Sequence, residues 1–201
     1  LGLSRRWRLG PLEPPNRYCR RHPGELIHVD VKKLGRFKRP GHRVTGKTKG
    51  YHGSPGAGWE FVHVAIDDTS RLAYLEIRAD EKGPTCAAFL ERAVVFFAAH
   101  GVTVERVMTD NGTGYRSKVH AAAIERLGIK HLRTQPYRPR TNGKAERFIQ
   151  TMLRECAYGQ AFTNSQQRRR SLRRWLTYYN CRRPHSALGH HTPISRLAPA
   201  S

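Results

Sequence analysis

The chain has 201 residues and carries 37 Lys and Arg against 15 Asp and Glu, a formal net charge of +22 at pH 7. This length allows one substantial domain with a buried core, and the charge indicates a polyanionic partner, with nucleic acid favoured over a membrane surface. The longest apolar runs, such as residues 93–99, fall far short of the ~20 residues of a membrane span, and no apolar segment follows the N-terminal arginines, so no signal peptide is expected.

The first half of the chain predicts strands. Residues 1–24 are rich in Arg, Pro and Gly without periodicity and predict a basic N-terminal arm. Alternating apolar residues at 25–34 predict a strand, whereas the basic, Gly-rich residues 35–58 predict a long exposed loop. Residues 59–77 predict two strands joined by an Asp-Asp-Thr-Ser turn, which is a hairpin.

The second half alternates helices with short strands. Apolar residues at helical spacing predict four helices, at 83–101, at 117–128 with Ser117 as N-cap, from Thr141 or Asn142 to about Tyr158, and from residue 165 onward. Short strands are predicted at 104–112 and 129–135. The order β–ββ–α–β–α–β–α–α predicts an α/β fold, a mixed sheet flanked by helices.

The four cysteines predict neither a disulfide nor a zinc site. They are widely separated and form no CxxC pair. Cys19 and His22 have the spacing of metal ligands, but no second pair completes a tetrahedral site.

Carboxylates in so basic a chain suggest chemistry beyond DNA binding, because DNA cleavage uses hard divalent cations, which prefer oxygen ligands. Of the five aspartates, Asp30 lies in an apolar strand, where a charge is costly unless compensated, and Asp110 lies where a strand meets an Asn-Gly turn. Glu146, the only acid between Glu125 and Glu155, lies near a helix start, where the helix dipole favours the ionised form.

Each acid also has a purely structural interpretation. Asp30 alone is explained equally well as a solvated residue of an edge strand, Asp110 as an ordinary turn residue, and Glu146 as a helix-surface acid paired with a neighbour. Asp67 and Asp68 are rival metal ligands, but the hairpin turn accounts for them, so we interpret both as structural.

The combination is more specific than any member. Asp110 and Glu146 enclose 35 residues (111–145), and two aspartates followed by a glutamate at this separation resemble the pattern of the DDE transposases of bacterial insertion sequences, whose catalytic core is shared with retroviral integrases. The matching stretches are HVDVKKL, TDNGTGYRS and PYRPRTNGKAERF. The tail YYNCRRPHSALGHHTPISRL also resembles the segment after the core in many of these transposases, so the resemblance covers residues 17–198.

The resemblance implies an RNase H-like fold and a metal-dependent polynucleotidyl transferase. Asp30, Asp110 and Glu146 would be the catalytic residues and would hold two Mg²⁺ or Mn²⁺ ions. A water would attack a phosphodiester at the element's end and free a 3′-hydroxyl, which would then attack target DNA. Residues 25–160 would form this core, and residues 161–201 a basic helical extension.

The resemblance also implies the partners, which are the element's ends and a target duplex. A dimer or larger assembly is expected on DNA, in the bacterial cytoplasm with the nucleoid and without a membrane partner. The arginines at 168–170, 173 and 174 favour DNA contact over a solvated helix face, and His185 either touches DNA or caps a buried turn. The expected DNA contacts are Tyr137, Arg138, Arg140, Asn142, Lys144, Arg147, Arg183 and His185.

At its N-terminus the chain departs from the family. These transposases usually carry helix-turn-helix segments where residues 1–24 lie, so we expect a fragment, a split reading frame or a core that depends on another polypeptide. Two alternatives remain. One is a catalytically incompetent, DNA-binding remnant of a transposase, which the retained acids argue against; the other is an RNase H-like nuclease that cuts without joining, which the tail argues against.

Overall fold

The structure, a computed structural model, describes residues 19–40, 46, 58–134 and 142–197. Its strands are β1 (Ile27–Gly35), β2 (Trp59–Asp67), β3 (Ala73–Arg78), β4 (Arg106–Thr109) and β5 (Lys130–Arg133). Its helices are α1 (Gly83–Ala98), α2 (Lys118–Arg126), α3 (Gly143–Met152) and α4 (Ser165–Cys181). A π-helical turn, Leu153–Ala157, extends α3, and 3₁₀ turns at Ser186–Leu188 and Ile194–Arg196 follow α4. The predicted order of strands and helices is confirmed.

The sheet has the strand order β3-β2-β1-β4-β5. Neighbours β1, β2 and β3 pair antiparallel, whereas β1 with β4 and β4 with β5 pair parallel. The predicted mixed sheet is therefore confirmed. Since β1 lies at its centre, the alternative that Asp30 belongs to an edge strand is wrong.

Helices cover both faces of the sheet, because successive strand residues point to opposite sides. On one face, side chains from β1 such as Ile27 and Val29 pack against α1 through Phe89. On the other, Val64 of β2 belongs to the cluster that holds Phe148 of α3. The core is thus divided into two apolar layers by the sheet. Every helix among the described residues is too short or too polar to cross a lipid bilayer.

Local signals fix the helix ends. The Ser117 hydroxyl accepts a hydrogen bond from the His120 amide, so the predicted N-cap of α2 is confirmed. After α2, Gly128 adopts φ +65°, a left-handed conformation that ends a helix and that glycine adopts without steric cost. All four cysteines carry free thiols.

Two arginines of α4 hold that helix on the sheet. Arg168 donates to Glu60 Oε2 and to the Gly35 carbonyl, both at 2.7 Å, and Arg169 donates to Glu60 Oε1 at 2.6 Å. Glu60 is 0% and Arg168 2% exposed. The interpretation of Arg168 as a DNA contact is therefore wrong, whereas the arginines at 170, 173 and 174 are exposed.

Replacing Arg168 by Met should lower the free energy of unfolding by about 3 kcal/mol, because Glu60 would stay buried with only the half-exposed Arg169 as its partner. The matched control, Arg170→Met, removes the same charge from the exposed side of α4 and should change stability by less than about 0.5 kcal/mol. Urea denaturation of both variants measures the difference. Equal losses would show that the buried ion pair contributes nothing particular.

Candidate active site

The parallel register of β1 and β4 brings Asp30 and Asp110 side by side. Ile27 pairs with Val107 and His28 with Met108, so the same register continued carries Asp110 level with Asp30. β4 ends at Thr109, which makes Asp110 the first residue beyond it. Asp110 is exposed and Asp30 is half-buried. Two acids 80 positions apart in sequence therefore share one edge of the sheet.

The turn after β4 orients the Asp110 carboxylate. The Gly112 amide donates to Asp110 Oδ1 at 2.9 Å, and a Cβ at position 112 would lie 2.9 Å from that same oxygen. The Asn111 side chain donates to the Thr134 carbonyl at 2.8 Å, which ties the turn to the end of β5. A side chain at position 112 would have to displace this carboxylate oxygen, so the glycine of the Asn-Gly sequence leaves room for it.

Glu146 is exposed on the first turn of α3. Burial, with smaller contributions from the negative charges of Asp110 and Glu146, raises the pKa of Asp30 to about 6. A hydrogen bond from the Val31 amide, at 2.7 Å, opposes this rise. Asp110 and Glu146 are therefore both close enough to Asp30 for their charges to act on it.

None of the three forms an ion pair with another described residue, whereas most of the other described acids do. Glu60, for comparison, pairs with two arginines, and Glu76 is paired with Arg78 and Arg92. The alternative in which Glu146 is neutralised by a neighbour on the helix surface thus has no support among the described residues. Negative charge without a protein counterion is what a bound cation would neutralise.

Asp30 and Asp110 line a cleft of about 290 Å³, whose wall includes Glu81 and Tyr115. Glu81 pairs with Lys33 at 2.5 Å. Carboxylate oxygens are the ligands that Mg²⁺ and Mn²⁺ prefer, so the donor set fits such ions. In the described part of the chain, however, no three His, Cys, Asp or Glu side chains converge closely enough to hold one ion together.

A buried polar cluster that the sequence did not reveal lies beside these acids. Asp68 Oδ1 contacts His28 Nε2 at 2.8 Å and accepts from Lys144, while Asp68 Oδ2 accepts from the Arg20 amide. His28 Nδ1 lies 3.1 Å from Asn142 Oδ1. Two features of the sequence could have indicated this cluster. His28 lies on the same face of the predicted strand as Asp30, and Asp68 lies in the predicted turn. We call His28, Asp68, Asn142 and Lys144 the Asp68 cluster.

Charge compensation in the Asp68 cluster is strong. Burial by itself would raise the pKa of Asp68, but hydrogen bonds from His28, Lys144 and the Arg20 amide outweigh it and hold that pKa well below its usual range. Burial lowers the pKa of Lys144, and its hydrogen bond to Asp68 opposes this. The neighbouring Asp67 accepts hydrogen bonds from the amides of Gly24, Thr69 and Ser70. Both aspartates of the hairpin turn are structural, as interpreted.

The predicted DNA contacts lie in three parts of the chain, which are residues 137–140, the start of α3 and the C-terminal tail. Tyr137, Arg138 and Arg140 lie outside the described residues. Arg147 is exposed on α3, whereas Asn142 and Lys144 point into the Asp68 cluster.

The last two predicted contacts lie in the C-terminal tail. Arg183 donates to Glu155 through Nη2 at 2.7 Å, and this pair lowers the pKa of Glu155. His185 is buried, with Nε2 3.3 Å from the Tyr179 carbonyl and its ring edge-on to Tyr179. Of the two interpretations of His185, the structure places it in the buried turn.

The architecture is that of known integrases. The chain superposes over 92% of its length on 61% of a chain in the simian T-cell lymphotropic virus intasome bound to PP2A regulatory subunit B56 gamma, with a TM-score of 0.66 and 18% identity. It also superposes over 86% of its length on 92% of the catalytic core domain of BIV integrase, with a TM-score of 0.55 and 17% identity. The fold is RNase H-like, as the resemblance implied.

Sequence comparison narrows this class to a family. Two profiles, each described as "Integrase core domain", match residues 20–139 and 127–193. The chain belongs to the integrase core domain family. The resemblance to insertion-sequence transposases is confirmed, since such proteins are among its relatives.

Three relatives illustrate the range of the family. The uncharacterized protein K02A2.6 of Caenorhabditis elegans is 32% identical over 69% of this chain, and the insertion element IS476 uncharacterized 39.2 kDa protein of Xanthomonas euvesicatoria is 34% identical over 46%. Transposase InsD of insertion element IS2A/D/F/H/I/K from Escherichia coli is 31% identical over 45%. The matched regions span 11%, 27% and 30% of these relatives.

The Asp68 cluster should stabilise the fold in a pH-dependent way. The pKa of Asp68 is depressed in the folded chain, so its contribution is present above the unfolded-state value of about 3.9 and is lost as the pH falls through the folded value. Asp68→Asn should therefore cost about 3 kcal/mol at pH 7, by removing the carboxylate charge that compensates the largely buried Lys144 ammonium, and the deficit should shrink below about pH 4.

Urea denaturation at pH 7, 5, 4 and 3 measures this deficit. Glu125→Gln, which removes an exposed acid from α2, controls for the change in net charge and should show no such trend. A deficit that stays constant from pH 7 to pH 3 would show that ionised Asp68 is not its source.

Proposed function

We propose that this chain is the catalytic core of a DDE transposase, which cleaves DNA at the ends of a mobile element and joins them to target DNA. The observation that supports the proposal is that Asp30 and Asp110 lie side by side on one cleft, with the charge of Glu146 acting on Asp30, in a member of the integrase core domain family. Integrase cores generally depend on divalent metal ions. We assign these three carboxylates as the groups that hold two Mg²⁺ or Mn²⁺ ions.

The chemistry is phosphoryl transfer in two displacements. A water attacks a phosphodiester at the element's end, which breaks the bond from phosphorus to O3′ and releases a 3′-hydroxyl. That hydroxyl attacks a target phosphodiester in line, forming a new phosphorus–oxygen bond as the target's own bond to O3′ breaks. The bound ions supply charge stabilisation for the attacking and leaving oxygens.

The chain's own groups hold this geometry. Gly112 fixes one oxygen of Asp110 through its amide, and Val31 does the same for Asp30. The half-buried position of Asp30 keeps its charge in an environment poorer in water, where electrostatic interactions are stronger. Glu146 is exposed on the first turn of α3, so its side chain can change rotamer without leaving a packed core.

DNA is held by phosphate contacts. The net charge of +22 favours binding to a polyanion at any sequence. We assign Arg147 and the preceding Tyr137, Arg138 and Arg140 as contacts beside the reacting phosphate, which would give affinity rather than sequence choice. Two element ends must react together in transposition, so we expect at least a dimer on DNA.

Strand transfer should depend on the three acids. With labelled duplexes carrying the element's terminal sequences, a target plasmid and Mg²⁺ or Mn²⁺, Asp110→Asn and Glu146→Gln should each lower joining at least about a hundredfold, the loss typical of removing one group that stabilises transition-state charge. The measurement is the yield of joined product on a gel.

The Glu125→Gln variant serves as the matched control, because it removes an exposed acid from α2 rather than from the cleft. It should join DNA as the parent chain does. Joining that persists in Asp110→Asn and Glu146→Gln would refute the assignment of the acids. DNA binding without turnover in either metal would instead favour the catalytically incompetent remnant.

A further inference from the structure

The start of α3 is attached to β1 by the side chain of one residue. Asn142, which directly precedes α3 and is 4% exposed, donates from Nδ2 to the Val29 carbonyl at 3.1 Å. Its Oδ1 lies 3.1 Å from His28 Nδ1. Both polar atoms of the side-chain amide therefore have a partner on β1, and neither forms a capping hydrogen bond with α3. The side chain connects the helix to the strand that carries Asp30.

The spacing of this attachment matches the spacing of the candidate catalytic acids. Glu146 follows Asn142 by one helical turn, about 6 Å along the axis at 1.5 Å per residue. Asp30 follows His28 by two strand residues on the same face, about 6.6 Å along the strand. Asn142 thus contacts β1 two residues before Asp30, and Glu146 lies one turn beyond Asn142, close enough for its charge to contribute to the raised pKa of Asp30.

A second attachment fixes the rotation of α3. Lys144, two residues before Glu146, donates to Asp68 Oδ1, and its side chain is only 18% exposed. The same oxygen contacts His28 at 2.8 Å, so both attachments end in one carboxylate. Asp68 is 0% exposed and has in addition the Arg20 amide as a donor. Two points on the first turn are enough to set both the position and the rotation of a helix.

We propose that Asn142 and Lys144 are positioning residues, which together with His28 and Asp68 hold α3 in the register that brings Glu146 to the metal-binding pair of Asp30 and Asp110. This proposal rests on the function proposed above. It also gives Lys144 a different part from the DNA contact expected from sequence, because its ammonium points to Asp68 rather than outward.

The test measures Mn²⁺ binding by the full chain without DNA. The readout is the electron paramagnetic resonance signal of free Mn²⁺. Asn142→Ala and Lys144→Met should each weaken Mn²⁺ binding about tenfold, as is typical when a group that orients metal ligands is lost. Lys144→Arg should restore most of the affinity, since a guanidinium can still pair with Asp68. Circular dichroism confirms that each variant is folded.

Duplex binding as a function of salt separates positioning from DNA contact. If Lys144 is a positioning residue, Lys144→Met leaves the salt slope unchanged, whereas a lost phosphate contact would lower the slope by about 1. Arg147→Met, which removes an exposed cation from the same helix, should show the opposite pattern, with a lower slope and unchanged Mn²⁺ affinity. A lower slope with normal Mn²⁺ binding in Lys144→Met would overturn the proposal.

A destabilised control completes the test. Arg92→Met removes one of the arginines that pair with Glu76 on the opposite side of the sheet and should leave Mn²⁺ affinity unchanged. Equal weakening in Arg92→Met, or parental affinity in both Asn142→Ala and Lys144→Met, would overturn the positioning role alone. Absence of Mn²⁺ binding by the parent chain would overturn the proposed function and this inference with it.

Discussion

The parallel pairing of β1 with β4 in the middle of the sheet is the constraint on which the site depends. β1 is nine residues long, whereas β4 has four and ends at Thr109. Beyond that point β1 continues with only β2 beside it, so a cleft opens where Asp30 lies. The chain leaves β4 at this opening and presents Asp110. A longer β4 would have filled the cleft with a strand.

The distribution of charge follows from the same geometry. Glu60, which is buried, and Glu76, which is half-buried, each pair with two arginines. Among the described residues, the carboxylates of Glu60 and Glu76 are thus neutralised within the fold, whereas Asp30 and Asp110 at the cleft form no ion pair. In a protein with a net charge of +22 this arrangement concentrates negative charge at one place, next to a surface that attracts phosphate.

Much of the fold could be predicted from local patterns. Period-two and helical spacing of apolar residues predicted the order of the strands and helices. The predicted N-cap at Ser117 and helix end at Gly128 were confirmed, because both depend on interactions within one turn. The strand order could not be predicted in this way. Whether β1 is central or at an edge depends on contacts between residues 80 positions apart, such as Ile27 and Val107.

The sequence by itself determined which side chains can do chemistry: three carboxylates in their motifs, within a strongly basic chain. Only the tertiary structure decided which partner each charged side chain contacts. Arg168 meets Glu60 across 108 positions, and Lys144 meets Asp68 across 76. The sequence shows that a residue is basic but not whether it faces solvent or a buried acid. Its partner depends on packing between segments that are far apart in the chain. The sequence therefore predicted DNA contacts at Asn142 and Lys144 and a turn at Asp68, whereas the structure brings all three into one cluster.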